Sequence, residues 1–298
     1  MGNAYSILEG AIDLHIHGNP DLYARPFDEI EIAKKAQEVG YRGVLFKSHH
    51  TTNADRAFIL NKLLGGMRVF GNITLNHTVG GINPQAVYAA AKLGVTEVKM
   101  PTVHAAHHIQ IMGPTYAFFD EKFAPVLSGQ KGITILDEKG KLVSQVNEIF
   151  EIIKEHNLIL GTGHLSREEI MLLVQEARKA KVERILVTHA ESVLSFLTVE
   201  EQVALADLGA FIEHNFTICM PVYLQGKRGK REPEEIAANI KKVGANRCTM
   251  GTDFGQLFNP DPVDGMRVFV QTMMKCGVTL EEIDWMIRKN PAWLVGLE

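Results

Sequence analysis

The sequence of 298 residues predicts an α/β fold, a (β/α)8 barrel of the TIM type. Eight short apolar stretches alternate with helical stretches, the helices carry start and stop signals, and eleven of the twelve histidines fall at or just beyond the carboxyl end of an apolar stretch. Strands alternating with helices call for a parallel sheet, and eight such units close a barrel. A doubly wound open sheet is the competing reading of the same alternation.

Strands are expected near residues 11–16, 42–47, 68–75, 95–100, 158–162, 184–188, 210–213 and 247–252. Between them, FDEIEIAKKAQEVG spaces Ile30, Ala33, Ala36 and Val39 on one helical face and stops at glycine. NADRAFILNKLLGG runs from an asparagine cap to a Gly-Gly stop, and NPQAVYAAAKLG carries Pro84 in its first turn. SREEIMLLVQEARKAK opens with a Ser166 to Glu169 capping box. One domain over 1–298 is expected, with a lid and a small hairpin inserted at about 101–142, the hairpin turning at the KG of GITILDEKGKLV. Tyr116, Phe118 and Phe119 in that insertion are candidates to close over a small apolar group, or to pack a local core.

Composition narrows the partners. A hydrophobic fraction of 46% supports a sizeable core, and a formal charge of -4 leaves no basic excess for nucleic acid. The basic run within GKRGKREPEE is met at once by acids, which suits a solvated loop. Cys219, Cys248 and Cys276 are too few and too far apart for a disulfide framework or a CxxC site. With no leader pattern and no run of eighteen apolar residues, a cytoplasmic protein without a membrane partner is expected. Trp285 and Trp293, on either side of an Asn-Pro break, pack the barrel's foot or form a surface that leaves a homo-oligomer open.

The polar residues then converge. In AIDLHIHGNPD a period of two turns His15 and His17 toward one side and Ile16 toward the other. His49 and His50 follow the second strand, His77 the third, His104, His107 and His108 the fourth, and His164, His189 and His214 the next three. Only His156 sits in a helix, at its end. Barrel active sites form at the rim where strands exit, so these imidazoles meet there, with Asp253 completing the set after the eighth strand. Lys99 ends a strand in VTEVKMPT, where a buried ammonium beside cation ligands is costly. Either its amine is carboxylated to an anionic two-oxygen ligand, or it pairs with Asp253 or Glu97.

These positions resemble the amidohydrolase superfamily of metal-dependent hydrolases. Its pattern is HxH after the first strand, Lys or Glu after the fourth, His after the fifth and sixth, and Asp after the eighth. His15, His17, Lys99, His164, His189 and Asp253 match it in order. More narrowly, the DLHIHGNPD start, the KSH after strand two and GTGHLS are similar to an uncharacterised amidohydrolase-like family. The resemblance implies a binuclear centre of the phosphotriesterase and dihydroorotase type. His15, His17 and Asp253 would surround one cation and His164 and His189 the other, with carboxylated Lys99 and a hydroxide between them. Zinc is the usual metal, and manganese, nickel or iron would also suit such donors.

Two cations divide the work of activating water and polarising the electrophile, and Asp253 is positioned to take and return a proton. The expected activity is hydrolysis of an amide, lactone or other ester. A one-metal decarboxylase or lyase with unmodified Lys99 is the alternative, and a phosphoesterase a further one. A non-catalytic metal-binding barrel would have no need of Asp253 beside an open metal position. For an anionic small-molecule substrate, Lys47 is the candidate contact, with His49, His50, His77 and His104 around it; Lys47 and His214 join Asp253 as catalytic candidates.

Overall fold

The computed structural model describes residues 6–113, 131–221 and 230–297. Among the described residues nine short strands are all paired in parallel: β1 (Ile12–Ile16), β2 (Gly43–Phe46), β3 (Arg68–Phe70), β4 (Asn72–Thr74), β5 (Glu97–Lys99), β6 (Ile159–Gly161), β7 (Ile185–Val187), β8 (Phe211–Asn215) and β9 (Cys248–Gly251). The third expected strand is interrupted at Gly71, so β3 pairs with β2 and β4 with β5. A side chain at Gly71 would stand 2.9 Å from the Asn53 carbonyl oxygen, and the glycine allows that approach. The ring closes where the His17 amide donates to the Phe254 carbonyl and the Asp253 amide to the His15 carbonyl, each at 2.8 Å. The chain therefore has the expected (β/α)8 barrel, with β3 and β4 as one broken stave.

Alternation along the staves sorts the interior. Val44, Phe46, Val98, Leu160, Ile212, Cys248 and Met250 join the main core between barrel and helices. Ile12, Leu14, Leu45, Phe70, Ile159, Leu186 and Phe211 point inward and pack on Ala292, Leu294 and Val295, which seal the barrel floor. Above this floor the inward positions turn polar, with Glu97, Lys99, Glu213 and Asn215 all fully buried.

β1 needs a correction of parity to serve both layers. Strict alternation would place Ile12 and Leu14 on one face and His15 and His17 on the other. The pairing with β2 instead slips between Asp13 and Ile16, a bulge that puts one extra residue on β1. Ile12 and Leu14 fill the floor, while His15 and His17 both reach the rim and Ile16 stays in the outer core.

The helices begin where their caps predict. Asp28 with Glu31, Ser166 with Glu169, Thr198 with Glu201 and Thr279 with Glu282 form reciprocal capping boxes. Asn53 starts the helix Ala54–Leu63 without capping it, because its side chain is committed to Phe46 and Asn72. The expected hairpin near 132–143 reduces to a single antiparallel bridge, Leu136 to Leu142, turning at Gly140. The expected Asn-Pro break near the C-terminus is absent, since a π-helical turn at Trp285–Lys289 leads directly into the helix Asn290–Val295. Pro291 stands in that helix's first turn, where it needs no amide proton, and Asn290 donates to the Ala245 and Cys248 carbonyls. Tyr116, Phe118 and Phe119 of the expected lid, and residues 226–229 of the basic run, lie outside the described residues. No helix among the described residues is long and apolar enough to cross a membrane.

Candidate metal centre

Asp253 lies at the centre of the histidine cluster. Its Oδ1 is 3.0 Å from His17 Nε2 and 3.3 Å from His15 Nε2, and its Oδ2 is 3.7 Å from His189 Nδ1. His164 stands beside this group, its ring centroid 5.2 Å from that of His189. All of these side chains are buried. Among the described residues two overlapping groups present donor atoms within 4.8 Å of one another: His15, His17 and Asp253, and His15, His189 and Glu213.

The backbone holds two of these residues in an uncommon conformation. His189 has φ 56° and Asp253 φ 51°, in the left-handed region that costs a non-glycine residue about 1–3 kcal/mol. Asp13 anchors the second of these turns, accepting from the Thr252 hydroxyl at 2.7 Å and the His15 amide at 3.0 Å. Burial pushes the Asp13 carboxyl up to about 7, against those hydrogen bonds. Gly163, at φ 63°, lets the chain press on the Met100 and Pro101 carbonyls, and the His164 amide then donates to Pro101.

The hydrogen bonds decide which nitrogen of each imidazole faces Asp253. His17 Nδ1 lies 3.1 Å from the Lys47 carbonyl oxygen, which can only accept, so Nδ1 carries the proton and a neutral His17 turns its Nε2 lone pair toward Asp253. His15 is arranged likewise, with Nδ1 at 3.0 Å from Glu213 Oε2. Burial first, then the nearby Lys47 and Lys99 charges, push His15 well below the usual imidazole range. His17, His164 and His189 are also pushed well below it, with burial the largest cause in each. Burial opposes ionisation of Asp253, but neighbouring positive charge, Lys47 and Lys99 included, holds its carboxyl below the ordinary value.

Lone pairs of neutral imidazoles thus oppose an anionic oxygen at 3.0–3.3 Å. His15 Nε2, His164 Nε2 and His189 Nδ1 are buried with no hydrogen-bond partner among the described residues. A divalent cation resolves both features, and nitrogen and carboxylate donors suit one.

The remaining expected residues spread outward from this centre. Lys99 is buried, with Nζ 3.1 Å from Glu97 Oε1, and Gly161 makes room for the pair because a side chain there would stand 2.5 Å from the same oxygen. Lys47 is buried, and burial followed by the Lys99 charge brings its ammonium down to about 7. His49 stacks on His17 at 5.0 Å and 12°, with Nδ1 at 2.9 Å from the Thr102 hydroxyl. His50 stacks against Tyr23 at 5.6 Å, and His104 follows at 6.0 Å from His50. His77 is farther out, its Nε2 at 3.0 Å from the Lys131 carbonyl oxygen.

His214 takes a different place from the other strand-end histidines. Its Nδ1 lies 2.8 Å from Glu191 Oε1, which also accepts from Asn239 in the helix Pro233–Val243. Burial opposes protonation, yet the Glu191 carboxylate raises the imidazole to about 10. Glu213, its neighbour, is an inward residue of β8, as are Phe211 and Asn215. Neither Glu213 nor Asp13 was among the sequence candidates, although strand alternation from Phe211 leads to the first and the DxHxH spacing contains the second.

The family of unknown function DUF6282 matches residues 10–213. The chain belongs to that family. The DUF6282 match spans His15, His17, Lys99, His164, His189 and Glu213 and ends before Asp253. No curated protein matches the chain. Among solved structures, the fold is similar to an amidohydrolase from Pseudomonas aeruginosa, at 11% identity and a TM-score of 0.66, covering 98% of this chain and 97% of that one. It is similar to a probable dipeptidase from the same organism, at 11% identity and 0.65, covering 98% and 96%. An organophosphorus hydrolase from Deinococcus radiodurans aligns at 12% identity and 0.61, covering 98% and 94%. At these identities the likeness shows for this DUF6282 protein the fold alone, a (β/α)8 barrel.

Proposed function

We propose that this DUF6282 protein is a metal-dependent hydrolase that cleaves an amide, lactone or other ester bond in a small anionic substrate. The observation that carries the reading is His17 Nε2 facing Asp253 Oδ1 at 3.0 Å while His17 Nδ1 is committed to the Lys47 carbonyl. Hydrolase names among the structurally similar proteins agree with it.

His15, His17 and Asp253 would hold one divalent cation and His164 and His189 a second, with zinc the first choice, and Lys99, if carboxylated, would add an anionic oxygen donor. When bound, such ions act as Lewis acids and bring the pKa of water toward neutrality. The chain's own groups do the rest. Asp253 accepts the proton of the attacking water and returns it to the leaving group. Lys47 contacts the substrate's anionic group, and His49, His50 and His104 line the approach. His214, paired with Glu191, braces β8 against the helix layer.

The 3.1 Å pair between Lys99 and Glu97 favours a second reading, a one-cation decarboxylase or lyase in which the lysine stays an ammonium. Metal analysis of the purified protein, with 13C NMR after exposure to labelled bicarbonate, separates the two. Two cations and a carbamate signal support the hydrolase; one cation without that signal supports the lyase. Asp253→Asn should keep a bound cation and lower turnover across a panel of amides, lactones and esters by about a hundredfold or more. A protein that retains no divalent cation, or an Asn variant with undiminished turnover, overturns the hydrolase reading.

A further inference from the structure

Three of the four site histidines have a partner at Nδ1. For His17 it is the Lys47 carbonyl and for His15 the Glu213 carboxylate, both acceptors. For His164 it is another imidazole: His164 Nδ1 lies 2.8 Å from His108 Nδ1, with the rings 4.9 Å apart and 18° from parallel. Two like nitrogens at this separation share one proton, so one ring donates and the other accepts.

The surroundings discriminate between the two arrangements. If His108 donates, a neutral His164 carries its proton on Nε2, which is buried and has no hydrogen-bond partner among the described residues. If His164 donates, its Nε2 keeps a free lone pair for a cation, and the His189 ring lies 5.2 Å from that of His164. We infer that His108 is a positioning residue: as proton acceptor it fixes His164 in the tautomer whose Nε2 is available to a divalent cation. This rests on the metal-site reading above and assigns His108 a role in it.

The fold supplies a rigid mount for this contact. His108 lies in the helix Ala106–Met112, whose start is tied to Ile133 by an isolated bridge at Ala105. The Ala106 amide donates to the Ile133 carbonyl at 2.8 Å, and the Ile133 amide donates to the His104 carbonyl at 2.8 Å. Gly132 permits the approach, since a side chain there would lie 2.4 Å from Ala106 Cα. His108 itself is buried, at 6% exposure. Metal-bound imidazoles depend on such outer partners, whose loss typically weakens metal affinity about 10- to 100-fold.

The test uses the full chain and Co2+ alone, titrated against a competing chelator, with the visible spectrum of bound Co2+ as a second readout. His108→Leu should weaken the cation assigned to His164 and His189 about 10- to 100-fold and change the Co2+ spectrum. His108→Asn, whose amide oxygen can stand near the former Nδ1, should recover most of that loss. Nitrogen-15 NMR of histidine-labelled wild-type protein loaded with Zn2+ should show His164 protonated at Nδ1, a measurement that needs no variant to fold. Unchanged affinity and spectrum in His108→Leu, failure of His108→Asn to recover what His108→Leu loses, or a His164 proton on Nε2 overturns the inference. A wild-type protein that binds neither ion instead overturns the metal-site reading, a result distinct from all three.

Discussion

His15 Nδ1 and Glu213 Oε2 lie 3.0 Å apart, both side chains fully buried, and the contact ties the first stave of the barrel to the eighth of its nine strands. A carboxylate in this place holds the imidazole's proton on Nδ1 and keeps Nε2 directed at Asp253. Glu213→Gln keeps the shape but replaces the anionic acceptor with an amide. Cation affinity should fall about 10- to 100-fold, measured by chelator competition. Equal affinity in the two proteins would show that His15 holds its orientation without the charge.

Gly163 tests how far a single backbone conformation supports the site. Its φ is 63°, and an added side chain would lie 2.3 Å from the Met100 carbonyl oxygen. Gly163→Ala should destabilise the fold by at least about 1–3 kcal/mol in thermal unfolding and lower cation content by displacing His164. Gly94 provides the comparison, having φ 94° with open space around it. Gly94→Ala should cost only the left-handed backbone penalty of about 1–2 kcal/mol and leave cation content unchanged. Equal effects of the two substitutions would argue that the carbonyl contacts at Gly163 contribute nothing.

Lys47 is placed by the alternation that turns Phe46 outward. Lys47→Met should raise KM about tenfold or more for a substrate bearing a free carboxylate, since a charge-assisted hydrogen bond is worth about 1.5–3 kcal/mol. The methyl ester of the same substrate should be little affected. A parallel change for both compounds would remove the lysine from anion recognition.

Glu29 gives a pH dependence away from the metal centre. It lines a cavity of about 550 Å3 with Arg56, whose guanidinium lies 3.1 Å away, yet burial raises the carboxyl from 4.5 to about 7 despite that partner. A carboxyl raised on folding favours the folded state when protonated. Its contribution is therefore complete below pH 4.5 and lost as pH rises through about 7. Glu29→Gln lacks this loss, so the wild-type Tm should fall relative to the variant by a few degrees, on the order of 2–4 °C per kcal/mol, between pH 5 and pH 7.5. Tm curves that remain parallel across that window would contradict the raised carboxyl.

The sequence made the barrel legible because alternation of short apolar runs with capped helices is a local signal, repeated eight times. It also made the rim legible: His15, His17, His164, His189 and Asp253 stand where strand ends put them. Lys99 was legible as a conflict, and the structure pairs it with Glu97 two residues earlier on the same inward face. Glu213 and Asp13 were harder to find because each acts through another residue, over sequence separations of 198 and 239 residues. His214 shows the limit of position alone. It lies in a strand beside an inward carboxylate, and the one-residue step that separates it from Glu213 turns it to Glu191 instead.

That one-residue step has its counterpart in β1, where the slip against β2 falls between Asp13 and Ile16. The metal-facing geometry there is encoded by how many residues lie between floor and rim as much as by which residues they are. A deletion of one residue in this interval would leave composition and hydropathy almost untouched and still exchange the imidazoles for their neighbours. Substitution scans of the strand would miss this dependence, while single-residue deletions and insertions would expose it. In this chain the length of this short interval therefore decides which residues reach the rim as much as the identity of His15 and His17 does.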